Sequence, residues 1–202
     1  QSAGIVSNIA DITDGRTLAS YYAISSGSTP AGEAVERAFD NNRDSKYLNF
    51  GYAGSDVLID AGTTQVVTGL GLSTGNDSPG RDPTSFTLYG SNSAFVITSS
   101  AGSNLAPSGL PNAIQIASGS LSAPSDRKTD YTTVNFSNST AYRYYRLVFN
   151  TTLAAGEYPQ VSEIRLPSQS TGAGSAAINF NAGFNALNNV AINSAGAVNA
   201  VN

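Results

Sequence analysis

From residue 57 onward the chain is cut into short runs of apolar, β-branched and aromatic residues by Gly, Pro, Asn, Asp and Ser. Residues 72–92, LSTGNDSPGRDPTSFTLYGSN, carry this pattern most plainly. Asn76, Asp77, Pro79, Gly80, Asp82 and Pro83 are turn formers. Phe86 and Leu88, flanked by Thr87 and Tyr89, then alternate as a half-buried strand does, until Gly90-Ser91-Asn92 stops the run. Similar runs occupy 57–60 (stopped by Ala61-Gly62), 66–72, 95–98, Ile114 with Ile116, 131–136, 142–149 and 161–166. Gly69 and Gly71 fall inside the second of these and suit a bulge or a close backbone approach. Roughly eight short strands separated by turns predict an antiparallel β-sandwich.

The N-terminal part is less regular. Two short apolar segments, Gly4-Ile5-Val6 and 18–24, flank an Asp14-Gly15 turn. Thr29 is a good helix cap, Pro30 suits the first helical position, and Ala34, Val35 and Ala38 share one helical face. One short helix is expected there, ending at Asp40-Asn41-Asn42.

Composition limits the chemistry. His, Cys, Met and Trp are absent, which excludes Ser-His-Asp and Cys-His nucleophilic sites, imidazole or thiolate zinc sites, and disulfides. Charged residues are 12% of the 202, and the net charge of −4 with ten dispersed Lys and Arg offers no footprint for nucleic acid. The acidic residues sit in turns and no strand end presents an acid and base pair, so no catalytic residue is expected and the chain reads as a non-enzyme. A Ser, Thr, Asn and Gly-rich polar surface and a first residue other than Met predict an exported protein, extracellular or at the cell surface after removal of a signal peptide. No run approaches the apolar length of about 20 residues of a membrane span.

Four ordered blocks then narrow the fold. Residues 38–47 (AFDNNRDSKY), 81–91 (RDPTSFTLYGS), 144–147 (YYRL) and 161–164 (VSEI) resemble discoidin domains, the coagulation-factor type C domains of the galactose-binding-like superfamily, in the same order. The resemblance spans about residues 10–166. Tyr47 stands where the family commonly has tryptophan, and the family's terminal disulfide has no counterpart. It implies an all-β, antiparallel jelly-roll sandwich with one short helix, similar to bacterial carbohydrate-binding modules. The family commonly holds a calcium in the loop after the helix. Carried over, that implies the side chains of Asp40, Asn42 and Ser45, the Arg37 and Ser162 carbonyls and the Glu163 carboxylate as ligands of a possible Ca²⁺. From the residues alone, Asp40, Asn42, Asp44 and Ser45 equally suit a self-capping Asx cluster without metal.

Ligand sites in this family lie in loops at one end of the sandwich and offer aromatic platforms. Tyr47, Phe50 and Tyr52 in KYLNFGYAGSD and Tyr158 in GEYPQ are the candidates, with Asp77, Arg81 and Asp82 as polar partners. The same three charged residues are also suited to closing their own loop.

The remaining chain divides differently. Residues 1–167 make the sandwich, 168–177 a Gly, Ser and Ala-rich linker, and 178–202 an Asn and Ala-rich extension of strand type. In that extension Ile178, Phe180 and Phe184, and then Val190 and Ile192, keep one parity against Asn and Gly. A strand in water needs a sheet edge. Two expectations follow. In one, the tail supplies a strand to another copy of the chain, and the protein self-assembles into an extracellular filament or matrix. In the other, the sandwich is a calcium-stabilised, lectin-like module for cell-surface or matrix glycans.

Overall fold

The computed structural model describes residues 9–11, 22–25, 28–52, 54–94, 109–169, 190–192 and 198–200. It divides into two compact units, Gln1–Thr171 and Gly172–Asn202. The first contains β1 (Ile9–Asp11), β2 (Tyr22–Ser25), β3 (Tyr47–Leu48), β4 (Ser55–Val67), β5 (Gly69–Ser73), β6 (Pro83–Ser91), β7 (Ile114–Ser120), β8 (Val134–Asn135), β9 (Tyr142–Thr152), β10 (Gln160–Val161), β11 (Glu163–Arg165) and β12 (Pro167–Gln169).

All pairings are antiparallel. One seven-stranded sheet runs β1-β12-β4-β9-β6-β7, with β2 also on β4. The order β11-β5-β8 and the pair β10-β3 make two smaller sheets. Alternate residues of the large sheet, Val57, Ile59 and Ala61 on β4, Phe86 and Leu88 on β6, and Tyr145, Leu147 and Phe149 on β9, meet Leu70, Leu72, Ile164, Val161 and Tyr47 in one buried core. Period-two burial from facing sheets defines a β-sandwich. Each large side chain buried there contributes about 1.5–3 kcal/mol. The opposite face of the large sheet carries a smaller cluster of Leu58 and Leu110 with Tyr89, Ala113 and Tyr144, and ion pairs of Arg146 with Asp56 and of Arg143 with Asp60.

Several boundaries differ from the sequence reading. The expected helix is a single 3-10 turn, Val35–Ala38, with Ala34 at the N-cap position and no side-chain cap. Gly32 lies at φ 82°, and this left-handed residue interrupts any helix begun at Pro30. Ala61-Gly62 does not stop β4. Gly62 takes a positive φ and donates its N–H to the Asp60 carboxylate, so the strand carries a register shift between Asp60 and Gln65 and continues to Val67. Residues 66–72 are not one strand: Val66 and Val67 pair with β12, whereas Leu70 and Leu72 pair with β8 and β11 in the facing layer. The expected strand 131–136 shrinks to β8, and the residue just before that run, Asp130, forms an isolated bridge with Ser73. The run 161–166 is divided between β10 and β11, which pair with β3 and β5 respectively. Gly69 is a close-approach position, since a Cβ there would lie 3.2 Å from the Val134 carbonyl. Residues 95–98 lie outside the described residues.

The sheet reaches Gln169, beyond the expected sandwich end at 167. In the second unit, β13 (Val190–Ile192) pairs antiparallel with β14 (Val198–Ala200), Val190 opposite Ala200 and Ile192 opposite Val198.

Candidate functional site

The turn between β3 and β4 is held open to solvent by a buried anchor. Tyr47 is fully buried, and its phenolic oxygen accepts a hydrogen bond from Asn49 Nδ2 at 2.6 Å. Asn49, itself buried, accepts the Gly51 N–H at 2.7 Å. Ser55 Oγ donates to the Tyr52 carbonyl at 2.7 Å, and Tyr52 is held at φ 61°, a left-handed conformation uncommon for an aromatic residue. The loop is thereby pre-organised, with Phe50 39% and Tyr52 52% exposed.

Tyr158 reaches these two rings from the far side of the sequence. Its ring centroid lies 5.0 Å from that of Phe50 in an edge-on arrangement and 4.4 Å from that of Tyr52. Its hydroxyl donates to the Tyr52 hydroxyl at 2.9 Å. That hydrogen bond is the first cause of a raised Tyr158 pKa, followed by burial and by the neighbouring Tyr52 and Glu157 charges. Three aromatic rings, two of them well exposed, form a surface able to take the C–H face of a planar or cyclic ligand.

Charged groups border the rings. Arg81 Nε donates to Glu157 Oε2 at 3.4 Å, and Arg81 sits at the end of a 3-10 turn, Pro79–Arg81, that is tied to the next loop by Ala154 N–H donating to the Gly80 carbonyl. Asp77 pairs with Lys46, which also donates to Gln160 Oε1 at 3.2 Å. Burial raises the Asp77 carboxyl, but the Lys46 hydrogen bond and charge outweigh it and hold the group below the ordinary carboxylate range. Asp82 is fully buried, and Arg127 grips it with two hydrogen bonds at 2.8 and 2.5 Å. Burial pushes the Asp82 carboxyl up and the Arg127 fork opposes it.

A second acidic centre lies in the loop after Val35–Ala38. The Asn42 N–H donates to Asp40 Oδ1 at 3.0 Å and to Glu163 Oε1 at 2.8 Å, so one donor brings the two carboxylates together. Ser45 Oγ donates to Asp40 Oδ2 at 2.7 Å, and Arg37 lies 3.4 Å from the same oxygen. Glu163 is 4% exposed; burial first, and then the Asp40 charge, push its carboxyl up to about 7. Asn42 Oδ1 accepts the Asp44 N–H at 3.0 Å, so this side chain closes its own turn. Ser162 precedes Glu163, its N–H on the Ser73 carbonyl and its hydroxyl on the Thr74 carbonyl. Among the described residues no group of three or more acidic side chains gathers.

Phe50, Tyr52 and Tyr158 thus converge, with Arg81 beside them. Tyr47 and Asp82 do not face solvent: the first is a core ring that anchors the platform loop, and the second closes a structural ion pair. Asp77 is committed to Lys46. Sequence reasoning missed Asn49, Lys46, Arg127 and Gln160, whose partners lie between 2 and 114 residues away. Ile178, Phe180 and Phe184 lie outside the described residues, while Val190 and Ile192 are on β13.

No family model matches the sequence, and a search of curated proteins finds no match. Solved structures match in fold. The module CpGH89CBM32-5 from Clostridium perfringens, in complex with GalNAc-β-1,3-galactose, aligns at a TM-score of 0.58 and 12% identity over 78% of this chain and 99% of that one. The family 32 carbohydrate-binding module of C. perfringens NanJ, in complex with galactose, aligns at 0.56 and 11% identity over 75% and 96%. A fucolectin from striped bass (Morone saxatilis) serum aligns at 0.56 and 16% identity over 80% of this chain and 49% of that one. The sandwich therefore has the discoidin, galactose-binding-like fold.

Proposed function

We propose that the sandwich is a non-catalytic carbohydrate-binding module that takes a sugar on Phe50, Tyr52 and Tyr158. The observation that carries this reading is the exposed three-ring surface on a pre-organised loop, on a fold whose solved neighbours include carbohydrate-binding modules and a lectin. Stacking supplies contact area, while Arg81 and Glu157 at the border supply a donor and an acceptor for ring hydroxyls. Galactose and GalNAc, the sugars bound by the two clostridial modules, are the first ligands to try. A glycan array probed with the wild type and with Tyr52→Ala/Tyr158→Ala tests it. Retention by the wild type and loss by the variant are expected; equal binding by both excludes the platform.

A hard cation such as Ca²⁺ fits the Asp40 and Glu163 pair. Two carboxylates share one N–H donor there, and the buried one is pushed toward protonation, which a cation would relieve. Asp40 and Glu163 would hold it, with the Arg37 and Ser162 carbonyls and Ser45 as neutral donors, and it would tie the loop after Val35–Ala38 to β11. An extracellular or cell-surface location accords with this function; among the described residues no helix is long and apolar enough to cross a membrane. Self-assembly through the tail has less support, because Val190 and Ile192 lie on a strand that pairs with β14 of the same chain.

A further inference from the structure

A concave surface lies at the other end of the large sheet from the platform. The platform adjoins the start of β6, where Pro83 pairs with Thr152, whereas Gly90 near its end pairs with Ile114. β6 is 9 residues long, which separates the two ends by roughly 25–30 Å. There a groove of about 650 Å³ opens between β7, the segment 135–140, Thr68 ahead of β5, the start of β9 and Gln169 at the end of β12. That volume lies within the roughly 300–1,000 Å³ of small-ligand sites.

The floor is built. A Cβ on Gly90 would come within 2.4 Å of the Tyr142 ring and 2.8 Å of Ile116 Cδ1, so the absence of a side chain on β6 lets both settle against the sheet. Phe136 and the 58% exposed Ile114 extend this apolar surface. The wall is fixed by Asn138, whose amide donates to the Val67 and Thr140 carbonyls and accepts the Thr140 N–H, each at 3.0 Å. On that rigid turn the side chains of Asn135, Ser139 and Thr140 are exposed and make no hydrogen bond within the described residues. Gln115 on the edge strand also lines the groove, its amide donating to Ser118 Oγ at 3.3 Å.

Among the described residues no Asp, Glu, Lys or Arg lines the groove. Its free groups are amides and hydroxyls, which donate and accept alike and match vicinal sugar hydroxyls, over apolar and aromatic surface that suits sugar C–H faces. Sugar carboxylates or sulfates would find no cation here. We propose that this groove is a second carbohydrate site, selective for neutral oligosaccharides and independent of the platform. Two sites at opposite ends would let one domain cross-link glycan chains or gain avidity on a dense surface.

The test uses the isotope-labelled full chain, titrated with neutral tetrasaccharides of β-1,4-linked glucose, N-acetylglucosamine, mannose and galactose. At least one is expected to shift the backbone amides of Gln115 and Asn135, and to do so equally in Tyr52→Ala/Tyr158→Ala. Asn135→Ala/Thr140→Ala, which removes exposed groups without internal partners and should keep the wild-type melting temperature, is expected to weaken that binding about tenfold. Shifts confined to Phe50, Tyr52 and Tyr158 would overturn the second site while leaving the platform intact. Groove shifts that follow protein concentration without sugar would assign the surface to a second copy of the chain instead. Silence of the groove toward all four sugars would overturn the proposal as well.

Discussion

Two buried carboxylates of this sandwich are solved in opposite ways. Asp82, at the start of β6, is matched by a cation of its own chain, with two short hydrogen bonds from Arg127. Glu163, on β11, shares a single N–H with a second carboxylate, Asp40, and the nearby Arg165 and Arg43 only partly offset its burial. The first is a closed lock between two loops. In the second, no salt bridge reaches Glu163 among the described residues, which is why the proposed metal is placed at Glu163 and not at Asp82.

The sharpest way to break this comparison is to remove the matched cation. Arg127→Ala leaves Asp82 buried and unpaired, and urea unfolding is expected to show a loss of about 3–5 kcal/mol. Glu163→Gln, by contrast, should leave metal-free stability at pH 8 unchanged or raised. Similar losses in the two variants would mean that the centres do not differ.

Next in size is the response to cation. Ca²⁺ at one hundred times its dissociation constant should stabilise the wild type by about 2.7 kcal/mol in a thermal melt, and Glu163→Gln should abolish most of that gain. An unchanged melt in millimolar Ca²⁺ would leave the pair without a metal role.

Metal-free pH dependence should be somewhat smaller. The Glu163 carboxyl titrates at about 7 in the folded chain against an ordinary value of 4.5. A raised folded pKa means that its contribution is fully present below pH 4.5 and is lost as pH rises through 7, an effect of order 2 kcal/mol. Chelated protein melted at pH 5 and pH 8 should therefore be less stable at pH 8, and Glu163→Gln should flatten this part of the profile.

The smallest effect is expected at the half-exposed Arg81 and Glu157 pair. Arg81→Ala should change stability by less than about 1 kcal/mol while weakening retention on the glycan array. A large stability loss there would class Arg81 with Arg127 as a structural cation.

The strands of the core were legible because period-two burial leaves its mark on residue type: Phe86 and Leu88, or Tyr145, Leu147 and Phe149, alternate in the sequence as they do in the sheet. Phe50, Tyr52 and Tyr158 were legible as aromatics in polar loops, a placement that burial alone does not explain. Tyr47, in the same loop sequence, reads identically and is buried. Only its neighbours decide this, since an aromatic ring suits a core as well as a surface. The groove at Tyr142 and Asn135 left no signal, because Asn, Ser, Thr and Gln in short loops are what any solvated turn contains.

The sequence by itself determined an antiparallel sandwich, its approximate strands, a composition without His or Cys, and which aromatic residues fall in polar loops. These follow from local pattern and composition, which act within a few residues. The tertiary structure decided which layer each half of 66–72 joins, that Tyr158 crosses 106 residues to meet Tyr52, that Arg127 closes on Asp82, and that Asp40 and Glu163 share one donor. Each depends on packing between distant segments, and residue type restricts such pairings without selecting among them.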